Sequence, residues 1–223
     1  MKKLLICALF AGLSLTGCIG INGGQKGEPL PYDMEESKAA FKEKGMTDGF
    51  QVEFMVDSES DGADNMQEVH TIGFKEGVIW DDEHAYFMNA DNTLYTAVYS
   101  EDDHGYVYYR DEGVANGQAA FDAHYDAIAS FLFEGYIDEM LYVSKGEVTV
   151  ANRRCDQFEY SVNMLFVKIK YLVSIDKEYG ICMEHTVEAS AFSEEGQTGG
   201  KAGFRVTDLS FGSSACVPSL IGK

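Results

Sequence analysis

The chain has few basic residues and lacks the short motifs of common catalytic sites. Its 223 residues include 37 Asp and Glu but only 17 Lys and Arg, so the formal net charge is −20. Such an acidic surface repels phosphate backbones, which excludes nucleic acid as a partner. The sequence contains no Gly-x-Ser-x-Gly, His-Glu-x-x-His, Gly-rich phosphate loop or Cys-x-x-Cys motif. We therefore expect a protein that is not an enzyme.

Long apolar runs are also scarce. Residues 4–15 form an apolar run after the basic start Met1-Lys2-Lys3, and this run is too short to span a bilayer. It ends in Leu15-Thr16-Gly17-Cys18, which resembles the lipobox of bacterial lipoprotein precursors. The resemblance implies that residues 1–17 are a signal peptide and that Cys18 is acylated, with palmitate or a similar chain, and becomes the new amino terminus. An ordinary secretory signal or an amino-terminal membrane anchor are the alternatives.

The following segment, residues 18–33, is rich in Gly and Pro and is predicted to be a flexible tether between the lipid and the domain. Two or three acyl chains would hold the protein on a membrane almost permanently. We expect an extracytoplasmic protein that is lipid-anchored to the cell membrane or the outer membrane. Ile19, rather than Asp, follows the Cys and favours the outer membrane if the host has one.

Cysteines are few in the predicted mature chain. Besides Cys18 only Cys155, Cys182 and Cys216 remain after residues 1–17, which allows at most one internal bridge. Strand alternation places Cys155 on the face of Gln157 and Glu159, and Cys182 on the face of Glu184 and Glu188. Both would point to the polar, convex side of a curved sheet, where they could be cross-strand neighbours. We predict that these two lie close enough for a disulfide.

The remaining sequence, residues 34–223, indicates a single α+β domain. From Phe50 onward, short alternating segments separated by polar turns predict about ten antiparallel strands. One segment between Gly117 and Gly135 instead has its apolar side chains on one face of a helix. This stripe, Phe121, Tyr125, Ile128, Ala129 and Leu132, is typical of core packing rather than of a cofactor site. Residues 37–44 favour a second, short helix.

Three stretches of the second half resemble LolA/LolB-like lipoprotein carriers. These are residues 148–158 (VTVANRRCDQF), 171–183 (YLVSIDKEYGICM) and 204–212 (FRVTDLSFG). The resemblance implies a single curved antiparallel sheet, a half-barrel, with one main helix covering its concave face. It also implies a hydrophobic ligand, such as a lipid or acyl group.

A curved sheet that one helix covers incompletely would leave an apolar pocket. Alternation and the helical stripe aim the following residues into this space: Phe54, Phe74, Trp80, Tyr125 and Ile128. The alternative is that these side chains fill a dry core. The runner-up function is an envelope-structural or adhesion-type surface lipoprotein that binds proteins or calcium through acidic loops, and the sequence identifies no specific protein partner.

No cofactor is expected, with calcium as the only candidate. The donors Asp57, Glu59, Asp61 and Glu68 have the spacing of a calcium loop, with Gly62 at its sharp turn. An acidic, solvated hairpin explains the same residues. Two similar runs, residues 81–84 and 101–104, combine carboxylates with a His that could hold zinc or manganese, although polar residues are also expected at tight turns.

Overall fold

One sheet dominates the fold. The computed structural model describes residues 27–60, 64–133, 141–164, 166–193 and 196–223. In this part of the chain thirteen strands form one open, curved sheet that carries two helices. The strands are β1 (Phe50–Ser60), β2 (Met66–Lys75), β3 (Val78–Trp80), β4 (His84–Met88), β5 (Thr93–Ser100), β6 (Gly105–Tyr108), β7 (Val114–Ala115), β8 (Val143–Val150), β9 (Arg153–Met164), β10 (Val167–Asp176), β11 (Cys182–Ser193), β12 (Gly196–Phe211) and β13 (Leu220–Gly222). The helices are α1 (Met34–Asp48) and α2 (Gln118–Phe131).

The predicted α+β half-barrel is confirmed, with more strands than the ten expected. The order is β13-β6-β5-β4-β3-β2-β1-β12-β11-β10-β9-β8, and β7 pairs with β5. Every ladder is antiparallel except β13 with β6. The additional strands include β7 and β13, which are too short to show an alternating pattern. Bulges interrupt the ladders at Glu53/Phe54, Ser144/Gly146 and Ser174/Ile175, and bulges increase the local twist of a sheet.

Two helices of similar length, rather than one main helix, pack on the concave face. The predicted second helix extends over Met34–Asp48. The Asp33 carboxylate accepts a hydrogen bond from the Glu36 N–H at its start, and Gly49 ends it with a φ of 77°. Phe41 and Gly45 are the only residues of α1 that are buried, among those described. Because Phe41 is the only large apolar side chain among them, the sequence of α1 shows little helical periodicity.

The helices enclose the main hydrophobic core with β1, β2, β3 and β12. The ring of Phe41 lies 4.9 Å from that of Phe50, and the ring of Tyr125 on α2 lies 5.0 Å from that of Phe74. Gly45 lets α1 approach this cluster, since a Cβ there would lie 2.6 Å from the Tyr125 hydroxyl. Aromatic rings in edge-to-face contact therefore form the part of the core that joins the two helices to the sheet.

The end of the predicted tether lies against the sheet, which corrects that part of the prediction. Glu28 and Tyr142 exchange two backbone hydrogen bonds of 2.9 and 2.8 Å. The Tyr32 hydroxyl donates to Asp156 at 2.8 Å. Leu30 and Tyr32 both pack against a buried cluster that includes Tyr142 and Phe158. Residues 28–32 thus attach to the β8 edge, while Cys18 and the rest of residues 1–26 lie outside the described residues.

The predicted disulfide is wrong because β10 lies between the two cysteines. Cys155 pairs with Asp176 of β10, and Cys182 pairs with Ile175 on the other side of the same strand. Two strand spacings amount to about 10 Å between Cα atoms, beyond the roughly 7 Å that a disulfide tolerates. Both thiols are free and fully buried rather than on a polar face. Burial raises the pKa of the Cys155 thiol to about 11.

Candidate functional site

A row of aromatic rings crosses the concave face, with one ring from each neighbouring strand. It runs from Tyr142 beside β8 to His70 of β2 and contains Tyr142, Tyr160, Tyr171, His185, Phe204, Phe54 and His70. Successive ring centroids are 5.9, 5.8, 6.3, 6.2, 6.4 and 5.5 Å apart. Cross-strand register creates the row, because directly opposite residues of antiparallel strands point to the same face.

The centre of this aromatic row is uncharged at neutral pH. Burial raises the pKa values of the Tyr160 and Tyr171 hydroxyls. Burial also lowers the pKa of His185 to about 4, so its imidazole is neutral. The His185 ring is stacked at 7° to the ring of Tyr171. The row therefore forms an uncharged partition between the helix-covered core and the open end of the sheet, which is the end with the turns β1–β2, β9–β10 and β11–β12.

Beyond the row, toward the turns β1–β2, β9–β10 and β11–β12, the concave face is apolar and half-buried. Val187 of β11 lies opposite Ala202 of β12, and Ile169 of β10 lies opposite Val162 of β9. Together six side chains form what we call the open-end patch: Val56, Val162, Val167, Ile169, Val187 and Ala202. They extend across five strands, from β1 to β9. The patch has the composition of a surface for an apolar ligand.

Charge distinguishes this face from its opposite. On the convex side of the same strands lie Lys170, Glu188 and Lys201, and Lys170 pairs with Glu188 at 3.8 Å. On the concave side, the described positions of β10 to β12 beyond the row carry no ionisable side chain. On β10 to β12 the alternation therefore separates an apolar concave surface from a salt-bridged convex one, whereas Glu68 of β2 lies on the concave side opposite Val56.

An open cavity of about 670 Å³ adjoins the patch at the strand ends. Its lining is mainly polar and includes Glu59, Glu188 and Lys201, together with Ala189 and Gly200. Ala189 and Gly200 are direct cross-strand partners on the concave side, next to Val187 and Ala202. Because this lining is polar, the cavity does not itself have the composition of a site for an apolar ligand.

A second cavity, of about 350 Å³, lies at the opposite end of these strands around Arg153, Arg154 and Lys177. Its cations are already paired, since Arg153 contacts Asp176 at 2.7 Å and both Arg154 and Lys177 contact Glu147. This arrangement serves the turns rather than a ligand.

The predicted pocket residues divide between two faces. Phe54, Phe74 and Tyr125 are buried in the core beneath the helices, and Ile128 packs against it. Trp80 belongs instead to a cluster on the convex face with Ala85, Ala97 and Tyr106. It lies over Gly73, where a Cβ would be 2.2 Å from the indole ring. The five residues therefore do not line one common space, and the four on the concave side contribute to the packed core.

The described calcium candidates do not converge. Asp57 and Glu59 belong to β1, and Glu68 of β2 lies opposite Val56, so its side chain points to the other face from Asp57. Asp61 lies outside the described residues. Calcium binding stays a prediction that this geometry does not favour. Among described residues no group of three or more His, Cys, Asp or Glu side chains is arranged to hold a metal ion.

The two carboxylate and histidine runs have turn roles. The Asp81 carboxylate accepts hydrogen bonds from the N–H groups of Glu83 and His84, at 2.8 and 2.7 Å. Asp103 accepts from the Ser100 hydroxyl at 2.9 Å and pairs with Lys223 at 2.8 Å. These bonds are those of side-chain-capped turns.

The open-end patch was not predicted, although its signal is present in the sequence. Val167, Ile169 and Tyr171 alternate with Lys168 and Lys170 along β10, and an equivalent alternation is present on β11. The alternation identifies an apolar face but not its neighbours, because register across β9 to β12 is a long-range property.

No helix among the residues described has both the length and the apolar character needed to cross a membrane.

Comparisons with known proteins give structural matches at low TM-scores and no sequence family. No family model and no curated protein matches the chain. Among solved structures, it is similar to a chain of the MucA/MucB complex from Pseudomonas aeruginosa, with 16% identity and a TM-score of 0.35. That match covers 83% of this chain and 59% of the other, so this chain spans less than two thirds of that protein.

Two further similar structures cover most of both chains. A DUF1329 family protein from Desulfovibrio piger has 9% identity and a TM-score of 0.26, and the match covers 85% of this chain and 95% of that one. A LolA superfamily protein from Nitrosomonas europaea has 11% identity and a TM-score of 0.24, with 79% and 90% covered. One of these matches is thus a protein of the superfamily that residues 148–212 resemble, and a match at this level specifies neither ligand nor partner.

Proposed function

We propose that the protein is an extracytoplasmic, lipid-anchored lipoprotein that binds one apolar ligand, a lipid or acyl chain, on the open-end patch. The observation that carries the proposal is the half-buried apolar surface of Val56, Val187 and Ala202 and their neighbours. A chain bound there would lie between the aromatic row and the strand ends. This differs from a pocket under α2, where the side chains already contact one another.

The chemistry of the patch favours the uncharged part of a lipid. The concave positions of β10 and β11 beyond the row offer methyl groups, and the centre of the row is neutral, so an acyl chain bound there would cover few polar groups. Burying each methylene contributes about 0.8 kcal/mol, which allows a single chain to bind measurably. A charged headgroup would remain at the open end in water.

Charge substitution inside the patch tests the ligand proposal. Val187→Arg is expected to weaken binding of the fluorescent probe N-phenylnaphthylamine by about tenfold or more, because a cation would replace buried methyl groups. Titration of the probe, and its displacement by lysophosphatidylcholine, measure the effect. Trp80 emission is unsuitable as a reporter, since this side chain lies on the convex face.

Val69→Arg is the matched control. Val69 is a valine of β2 that is 59% exposed, so this variant should bind the probe like the wild type. Equal losses in the two variants, or no saturable binding by the wild type, would contradict the ligand proposal.

The anchor is tested separately through Cys18. Cys18→Ala should abolish incorporation of radiolabelled palmitate and release the protein from membranes after a carbonate wash, because acyl burial supplies the attachment. The folded domain should keep its melting temperature, since the described core does not involve Cys18. Retention of the label in the variant would sink the lipobox interpretation.

A second candidate function is binding of a cationic protein through the first half of the domain. Residues 34–133 contain 22 acidic and 5 basic side chains, whereas residues 141–223 contain 10 and 9. Steering by such a charged surface weakens steeply as salt increases, but uptake of a neutral lipid by the patch does not. Salt dependence therefore separates this candidate from the first.

A further inference from the structure

Exposed apolar side chains gather where β5 meets β6 and β7. Val98 of β5 is 53% exposed, and Val114 of β7 is 61% exposed. Val107 of β6 lies opposite Val98, Ile221 of β13 lies opposite Val107, and both are half-buried. These four residues form what we call the β5–β6 surface. Apolar side chains that remain exposed together among polar residues mark an interaction site.

The β5–β6 surface belongs to the concave face of the sheet. Val98 follows Leu94 by four residues of β5 and so points to the same side, and Leu94 packs in the main core. Val114 lies directly opposite Leu94. The intervening side chain of Ala97 belongs to the convex cluster, as does Tyr106 of β6. The exposed valines therefore lie on the side of the sheet that carries the helices.

A helix already packs beside this surface. His124 of α2 stacks on Tyr86 of β4, with ring centroids 3.7 Å apart, and Tyr86 packs against the main core. Val98 and Val114 are about 13 Å apart along the strands, since four residues of β5 separate their positions. A helix rises about 1.5 Å per residue, so about nine residues cover this distance. The surface is therefore long enough for a further short helix.

The surroundings of the β5–β6 surface are strongly acidic. Residues 78–133 contain 11 acidic side chains and one basic side chain, Arg110. A second cation, Lys223 beside β13, is paired with Asp103 at 2.8 Å. The charge around the surface is therefore negative, and an anionic membrane or nucleic acid would be repelled.

Several carboxylates next to the exposed valines are available to a partner. Glu101 and Asp102 lie in the turn between β5 and β6, and Asp111 and Glu112 lie between β6 and β7. All four are exposed, and none forms an ion pair with another described residue. Carboxylates at the rim of an apolar contact steer a cationic partner to it and make its binding salt-dependent.

We propose that the β5–β6 surface docks a cationic amphipathic helix of a partner protein. The apolar face of this helix covers Val98 and Val107, and its lysines or arginines reach the carboxylates of Glu101 and Asp102. The inference rests on the second candidate function, which it deepens by naming the surface and the chemistry of the partner. It does not require the open-end patch to bind a lipid.

A model peptide tests the proposal on the full chain with Cys18→Ala, which has no acyl group of its own to bind the peptide. The fluorescein-labelled peptide has about 14 residues of leucine and lysine, with the leucines on one helical face. Fluorescence anisotropy at low salt measures its affinity. A scrambled peptide of the same composition, with leucines on all sides, should bind at least about tenfold more weakly.

Val98→Arg should weaken binding of the amphipathic peptide by about tenfold or more, because it removes methyl groups from the contact and adds a like charge. Val69→Arg is the matched control. Val69 is 59% exposed on the convex side of β2, opposite Met55, and the substitution adds the same charge. Both valines are exposed, so both variants should keep the wild-type melting temperature.

Three results would overturn the proposal: no binding of the amphipathic peptide, equal binding of the scrambled peptide, or equal losses in Val98→Arg and Val69→Arg. Salt-sensitive binding with either of the last two results would retain the second candidate function but not this surface. A larger loss in Val187→Arg than in Val98→Arg would assign the peptide to the open-end patch instead.

Discussion

Replacing Arg153 by methionine is expected to lower the free energy of unfolding by about 3 kcal/mol. The Arg153 guanidinium donates to both Asp176 oxygens, at 2.7 and 3.1 Å, and Asp176 is only 1% exposed. Removing one partner of such a pair leaves an uncompensated buried charge, which typically costs about 3 to 5 kcal/mol. Arg153 retains some solvent contact, so we expect the lower end of this range.

The next residue along the chain supplies the control. Arg154 also pairs bidentately with a carboxylate, Glu147, but its side chain is 73% exposed. Exposed pairs contribute about 0 to 1 kcal/mol, so Arg154→Met should be nearly neutral. Urea denaturation of the two variants measures the difference. Equal destabilisation would show that burial of Asp176 does not decide the energetics.

The double variant separates charge from packing. In Arg153→Met with Asp176→Leu, neither a buried charge nor an unpaired donor remains at the pair, so part of the stability should return. The recovery will be incomplete, because Asp176 also accepts hydrogen bonds from the N–H groups of Glu178 and Tyr179, at 3.1 and 2.8 Å. The Asp176 carboxylate thus organises the turn between β10 and β11 as well as neutralising Arg153.

Local patterns predicted the elements of this fold better than their neighbours. The stripe with Phe121 and Tyr125 correctly predicted α2, and alternation predicted the long strands, because both signals lie within one segment. Helix α1 was predicted too short, since a helix with one buried Phe has little periodicity. Trp80 was assigned to the wrong face because β3 has only three residues, all buried, and so shows no alternation.

The candidate site depends on relations that a single segment does not contain. Alternation places Cys155 and Cys182 on strands β9 and β11 but does not reveal that β10 lies between these strands. The aromatic row is invisible in the sequence for the same reason, since its rings come from strands whose register is fixed by bulges and turns. Family resemblance supplied the half-barrel, but the location of the apolar surface required the ladder itself.

Acid is expected to destabilise the protein through His185. Burial holds the folded-state pKa of this imidazole at about 4, whereas an unfolded chain has a pKa of about 6.5. Between these values the unfolded state binds a proton that the native state does not, so stability falls as pH decreases below about 6.5. By pH 5 the loss should be about 2 kcal/mol, before most carboxylates are protonated.

His185→Phe should remove this loss, because an apolar ring can keep the contacts with Tyr171 and Phe204 without binding a proton. Urea unfolding at pH 7.5 and pH 5 gives the difference for each protein. The pKa of His124 is also lowered by burial, but this side chain is less buried, so His124→Gln should remove a smaller part. If the decline from pH 7.5 to 5 persists unchanged in His185→Phe, the aromatic row does not contain a buried neutral imidazole. The uncharged partition between core and patch would then lose its physical basis.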